Sequence, residues 1–460
     1  MKEFDLIVKN GLIATESDEY YADIGISDGK IVQIGTDLNN AADVIDAAGM
    51  LVIPGGIDIH THIDAPLHGT HTLDDWYQGT VSAAFGGVTC VVDYPMQEIG
   101  HSLRDIVNKW SDKARDKAII DYSFSPVITE RTEDVYKEIP QLIKEGFPSF
   151  KIFMAYSYRA HDEEIIRLLD LISSNGGILG IHCENDWAIG YLASKLVKEG
   201  KVETKYHPVS RPPVAEADAT SRVIRLAEMV DAQVLIVHLS CEEALQEAAK
   251  AREKGSKVYV ETCTHFLKLD KELYDQPVEE AAKYVITPPL REHKDREALW
   301  NGLKTGAISI VSSDHCAYPM SEKLRLGKGD FTKMPHGAPG IETRLPVVFS
   351  EGVSKGRISL QRFVSAVSTN PARLAGLYPR KGTLAVGSDA DITIIDPNKK
   401  VRLATETMHS NCDFSPFEGY ITDGYPVITI AGGRVIVKDG NLNAKPGAGK
   451  LVKRDLFKPF

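Results

Sequence analysis

Between residues 54 and 375 the chain carries eight short apolar runs: "GIDIHTH", "GVTCVVDY", "AIIDYSFSPV", "SFKIFMAY", "GILGIHCEN", "AQVLIVHLS", "KVYVETCTHF" and "AISIVSSDHC". Helix-like runs such as "DEEIIRLLDLISSNG" and "CEEALQEAAKAREKG" separate most of them. Strands alternating with helices build parallel sheets, because each helical crossover returns the chain to the same end of the sheet. Eight such units predict an α/β fold of the (β/α)8 type, the TIM barrel. A doubly wound open sheet is the rival. It usually carries a glycine-rich phosphate loop after its first strand, and none follows here.

The two ends of the chain read differently. "FDLIVKNGLIA", "YADIGISDGKIVQIG" and "DVIDAAGMLVIPG" open it, and "GTLAVGSDADITIID" and "YPVITIAGGRVIVKDG" lie near its close. These are β-like runs, and Gly11, Gly29 and Gly49 mark turns among the first set. The expectation is one small β-sandwich assembled from residues 1–53 and 376–460. The barrel of residues 54–375 would then be inserted into it, an arrangement that suits 460 residues.

A net charge of −11 and a pI near 5.7 speak against a nucleic-acid partner. No run reaches about 18 uninterrupted apolar residues, so no membrane span is expected. The opening "MKEFDLIVKNG" lacks the apolar core of a signal peptide. The six cysteines are scattered without a CxxC pair, which predicts free thiols in a reducing cytoplasm.

One lysine, Lys151, stands inside the apolar stretch "FPSFKIFMAY". A lone lysine there ordinarily lays its stem on apolar surface and keeps its ammonium in water. Its company argues otherwise. His60 and His62 end the first run and, being two apart, point to the same side of their strand. His182 ends the fifth run, His238 the sixth and Asp314 the eighth. In a barrel the carboxyl ends of the strands converge on one face, where active sites form. Imidazole and carboxylate are ligands suited to zinc-like metals. One strand-end histidine is commonplace, whereas four with an aspartate predict a metal site.

"GGIDIHTHID", "SFKIFMAY", "GIHCEN", "IVHLSC", "YVITPPLR" and "SSDHC" together resemble the cyclic amidohydrolases, in their hydantoinase/dihydropyrimidinase branch, over nearly the whole chain. The resemblance implies that Lys151 is carboxylated by CO2 to N6-carboxylysine, an anion able to bridge two divalent metals, zinc being expected. His60, His62, Lys151 and Asp314 would hold one metal, and Lys151, His182 and His238 the other. A hydroxide bridging the two metals would open a cyclic amide, a hydantoin or dihydropyrimidine, to an N-carbamoyl amino acid. Asp314 would shuttle the proton and Tyr156 would stabilise the oxyanion. The family further implies a cytoplasmic homo-oligomer, dimer or tetramer, acting on a small cyclic ureide or diamide.

The ring is held in such relatives by backbone groups, here at Thr287 and at His336, where asparagine is usual. Leu67, Phe153 and Tyr158 are candidates to wall the substituent pocket. Dihydroorotases usually carry an arginine two residues after HxH; here Asp64 stands there, and an acid would repel an acidic substrate. Allantoinase and other cyclic ureide hydrolases are the alternative reading. Some relatives have lost ligands and act as scaffolds, but every ligand position is filled here. The closing stretch "GKLVKRDLFKPF" mixes basic and apolar residues and is expected to dock on another subunit rather than fray.

Overall fold

The computed structural model describes residues 3–460. All eight apolar runs contain parallel strands. In chain order they are Gly56–Thr61, Val88–Asp93, Asp121–Phe124, Ser149–Phe153, Ile178–His182, Val234–Ile236, Val258–Cys263 and Ile310–Ser312. The first three pair in one sheet and the last five in another. Two parallel bridges, Val127 to Lys151 and Thr61 to His315, join the sheets at both seams. The eight strands therefore run round a ring.

Two further sheets come from the flanking segments. One has four strands, ordered Lys30–Gly35, Asp23–Ser27, Phe4–Lys9 and Ala41–Asp46. The other has seven and mixes both ends of the chain: Leu12–Ala14 pairs with Leu51–Pro54, which pairs in turn with Ile392–Arg402, and that strand pairs with Ile421–Ala431. Period-two alternation explains the contact between them. Leu6, Val8, Ile24, Ile26 and Ile45 of the first sheet pack with Ile392, Ile394, Ile428 and Ile430 of the second. No helix among the described residues is long and apolar enough to cross a membrane.

A buried lysine joins these sheets to the ring. Lys381 Nζ lies 2.7 Å from Asp121 on the third parallel strand, 2.6 Å from Asp391 and 3.1 Å from Asp389. Burial opposes its charge, but the three carboxylates outweigh it and hold the ammonium's pKa well above its usual value. Burying a charge that deep is costly, and here three carboxylates offset the cost.

The closing stretch packs on its own ring rather than reaching outward. Tyr122 and Leu451 form a parallel bridge, and the Val452 and Phe457 amides donate to the Tyr122 and Gly176 carbonyls. Val452 and Phe457 are buried with Ile57, Ile59, Val92 and Ile178 inside the ring. The Arg454 guanidinium donates to the Phe124 carbonyl at 2.5 Å and to Ser149 Oγ at 2.8 Å. The strand-rich ring leaves its amino-terminal mouth open, and this stretch closes it. Each buried apolar side chain is worth about 1.5–3 kcal/mol. Deleting residues 449–460 is therefore expected to lower the melting temperature of the isolated chain, by calorimetry. An unchanged melting curve would show that the plug contributes nothing.

Candidate metal centre and substrate pocket

The first parallel strand delivers His60 and, one residue past its end, His62. The turn that follows is fixed by Asp93, which accepts from the Thr61 hydroxyl at 2.7 Å, the Ile63 amide at 2.9 Å and Trp110 Nε1 at 3.1 Å. Lys151 lies mid-strand, His182 ends its strand, and His238 and Asp314 each stand two residues beyond theirs. His238, Asp314 and Tyr156 have φ of 39°, 49° and 73°. That left-handed conformation is costly for residues other than glycine, and it concentrates at functional sites.

The ring brings five of the six candidate ligands into two groups and sets the sixth beside the first. His60 Nε2 and His62 Nε2 lie 3.1 and 3.5 Å from Asp314 Oδ1. These three could hold one metal ion. His182 Nδ1 faces His238 Nε2 at 2.9 Å. Lys151 Nζ sits 2.7 Å from His60 Nε2, above the Tyr94 ring at 4.3 Å. Its charge is felt by all four histidines.

Second partners orient the imidazoles. His60 Nδ1 pairs with Glu261 Oε1 at 2.5 Å, so its Nε2 is the atom presented inward. His182 Nε2 pairs with Glu184 at 2.8 Å, and Arg211 holds Glu184 in turn at 2.6 Å. Neither glutamate was singled out from the sequence. The signal for Glu261 was the one used for Lys151, a charged residue inside an apolar strand.

The electrostatics suit metal ligation. Burial lowers His62 to about 4 and carries His182 and His238 down as well, leaving neutral imidazoles with free lone pairs. Burial also acts against protonated His60, but Glu261 prevails and raises it. For Asp314 burial favours the neutral acid, yet His60 and His62 outweigh it and hold the carboxyl well below its usual range. Burial pulls Lys151 down to about 8, and no carboxylate among the described residues lies within ion-pair distance of it. Three neutral imidazoles, a fourth oriented by Glu261, one carboxylate and a lysine without a direct ion-pair partner are a donor set that divalent metals fit.

A pocket opens beside these groups. It gathers every residue the sequence proposed for the substrate: Tyr156, Thr287, His336, Leu67, Phe153 and Tyr158. Met96, His68, Cys316 and Gly337 join them. Phe153 and Tyr158 meet edge to face at 5.3 Å, and Met96 packs into the same apolar cluster. Burial raises the Tyr156 hydroxyl to about 12, so it remains a hydrogen-bond donor at neutral pH. Asp64 is absent from the lining. Its side chain is drawn to Lys113 at 3.3 Å and its carbonyl accepts from the same Nζ at 2.6 Å.

Clusters of this kind at the carboxyl ends of parallel strands are where enzymes on such rings place their active sites. Residues 51–436 match the model of the Amidohydrolase family. The D-hydantoinase of Geobacillus stearothermophilus is 45% identical over 452 residues, 97% of this chain and 96% of that relative. The D-hydantoinase of Ralstonia pickettii is 44% identical over 456 residues, 99% and 100% of the two chains. Among solved structures, the dihydropyrimidinase from Brevibacillus agri NCHU1002 superposes with a TM-score of 0.97 at 43% identity, covering 99% of both chains. The chain is an enzyme that belongs to the hydantoinase/dihydropyrimidinase family of cyclic amidohydrolases.

Proposed function

We propose that this enzyme opens a cyclic diamide, a hydantoin or dihydropyrimidine, to the N-carbamoyl amino acid, at a centre holding two divalent metals. The observation that carries the reading is Lys151. A bare ammonium buried against His60, with no acid beside it, is poorly accommodated as it stands. As N6-carboxylysine it becomes an anion with two oxygens, able to serve both ligand groups at once. The neutral amine attacks the carbon of CO2, a C–N bond forms, and one proton leaves the nitrogen. The depressed ammonium pKa of Lys151 supports that step by making the neutral amine accessible.

His60, His62, Asp314 and carboxylated Lys151 would hold one metal, and Lys151, His182 and His238 the other, with zinc expected from the donor types. When bound, such a pair would supply Lewis-acid polarisation of a ring carbonyl and hydroxide at neutral pH. The protein's own groups do the rest. Asp314 takes the proton released on attack and passes it to the leaving ring nitrogen. Tyr156, protonated and facing the cavity, donates to the oxygen that gains charge. Main-chain groups at Thr287 and His336 hold the ring, and Leu67, Phe153 and Tyr158 receive the substituent outside it.

The same reading takes residues 54–375 as a (β/α)8 catalytic barrel, and residues 1–53 with 376–460 as a β-sandwich. It also takes the protein as a cytoplasmic homo-oligomer. Ring opening should be measured side by side on dihydrouracil, hydantoin, both enantiomers of 5-phenylhydantoin, allantoin and dihydroorotate. Activity on hydantoin or dihydrouracil is expected; turnover of allantoin alone would move the assignment to another cyclic ureide. Metal analysis of protein purified without chelator is expected to find two ions per chain. One ion with full activity would exclude the paired centre.

A further inference from the structure

Three lysines among the described residues, Lys151, Lys323 and Lys381, are at most 1% exposed, and each is accommodated differently. Lys381 has three carboxylates, and Lys151 belongs to the proposed metal centre. Lys323 has neither. It lies on the helix Met320–Gly327, and no acid among the described residues is within ion-pair distance of it. Its Nζ donates to the Gly337 carbonyl at 2.6 Å and to the Val285 carbonyl at 3.0 Å, with the Phe414 ring 5.6 Å away.

Those two carbonyls belong to separate loops, and both loops border the cavity. Val285 leads to Thr287, and Gly337 follows His336. The Gly337 amide also donates to the Val285 carbonyl at 3.0 Å, so the ammonium and the two loops form a closed triangle. Further along, the Cys316 amide donates to the Ala338 carbonyl at 3.0 Å, and the Gly340 amide to His315 Nδ1 at 3.1 Å. A Cβ at Gly337 would come within 2.8 Å of Cys316, so the turn lies close against the segment after Asp314. An apolar side chain in place of Lys323 would fill the space but leave the Gly337 carbonyl without its 2.6 Å donor.

We propose that Lys323 is a positioning residue for substrate: by tying the Val285–Thr287 and His336–Gly337 segments together, it sets the separation of the main-chain groups that grip the ring amides. It touches neither substrate nor metal. The proposal rests on the hydrolase reading above and adds to it the element that shapes the ring site. A side chain needed only for folding would change stability alone. One that sets the grip changes ring affinity while leaving the chemical step largely intact.

The test is K323M in the full-length, metal-loaded enzyme. Methionine keeps much of the length and volume and removes all donors. The metal content is expected to be unchanged, with kcat within about threefold and KM for hydantoin and dihydrouracil raised about tenfold or more. Amide hydrogen exchange should quicken at His336, Gly337 and Ala338 and stay as it was in the parallel strands. K323Q, whose shorter arm can reach one carbonyl, should fall between the two and decides the matter where K323M does not fold. Wild-type KM in either variant, a fall confined to kcat, or failure of both to fold would overturn the positioning role. If the wild-type enzyme opens neither ring, the hydrolase reading fails on its own. Exchange at His336, Gly337 and Ala338 then still judges the tie, and unchanged rates there would overturn it.

Discussion

Lys151→Ala is expected to lower turnover by about 10³-fold or more, since it removes the one group that both halves of the proposed metal centre share. Short carboxylic acids such as acetate or propionate should restore part of the loss. The space vacated by the side chain is closed in by Tyr94, Phe153 and His60, and a small carboxylate offers the same two oxygens as the carbamate. Lys151→Arg should be as inactive as the alanine variant and should not respond to added acid. Its guanidinium does not combine with CO2 and fills the space the acid would need. The measurement is the initial rate of ring opening across an acid titration, on protein whose metal content has been determined. Near-normal turnover in Lys151→Arg would end the carbamate reading.

Asp314→Asn should remove turnover by about 10²–10⁴-fold, the usual range for a lost general acid–base group, while leaving the fold in place. Asparagine matches the carboxylate in size. It cannot take up a proton at neutral pH and is a poorer metal ligand. The backbone at this position, at φ 49°, is one that asparagine tolerates better than most residues. Circular dichroism and the melting temperature should therefore change little. Collapse of the fold, rather than of turnover, would make Asp314 a structural residue whose carboxylate only neutralises His60 and His62.

The features that were legible in the sequence are those written in local pattern. The eight parallel strands follow from short apolar runs punctuated by helical ones, and the polar residues at their ends follow from the direction in which such strands point. Lys151 stood out because an apolar strand has no local reason to carry a charge. Glu261 carried the same signal inside "KVYVETCTHF", and its link to His60 spans 201 residues, so no local pattern names the partner. Lys323 was invisible for a different cause. In "MSEKLRLG" it stands beside Glu322 and Arg325, which form an exposed ion pair, and reads as one more charge on a solvated helix. Its burial depends on carbonyls of residues 285 and 337. The closing stretch was misdirected in the same way. Its basic and apolar residues do dock, but the surface they meet is the base of their own ring, built from residues more than 300 positions earlier as well as from neighbours.

The seven-stranded sheet fixes an order of events during synthesis. Leu51–Pro54 leaves the ribosome early, but its antiparallel partner Ile392–Arg402 is made only after the entire ring. At ordinary elongation rates of about 5–20 residues per second, that interval lasts on the order of tens of seconds. Through it the early four-stranded sheet has Leu6, Val8, Ile24, Ile26 and Ile45 on a face whose cover, Ile392, Ile394, Ile428 and Ile430, does not yet exist. A nascent chain in that condition is sticky and has an unpaired strand edge. Ribosome-bound chains arrested before residue 392 should therefore be held by chaperones, and those arrested well after residue 431 should be released and resist protease.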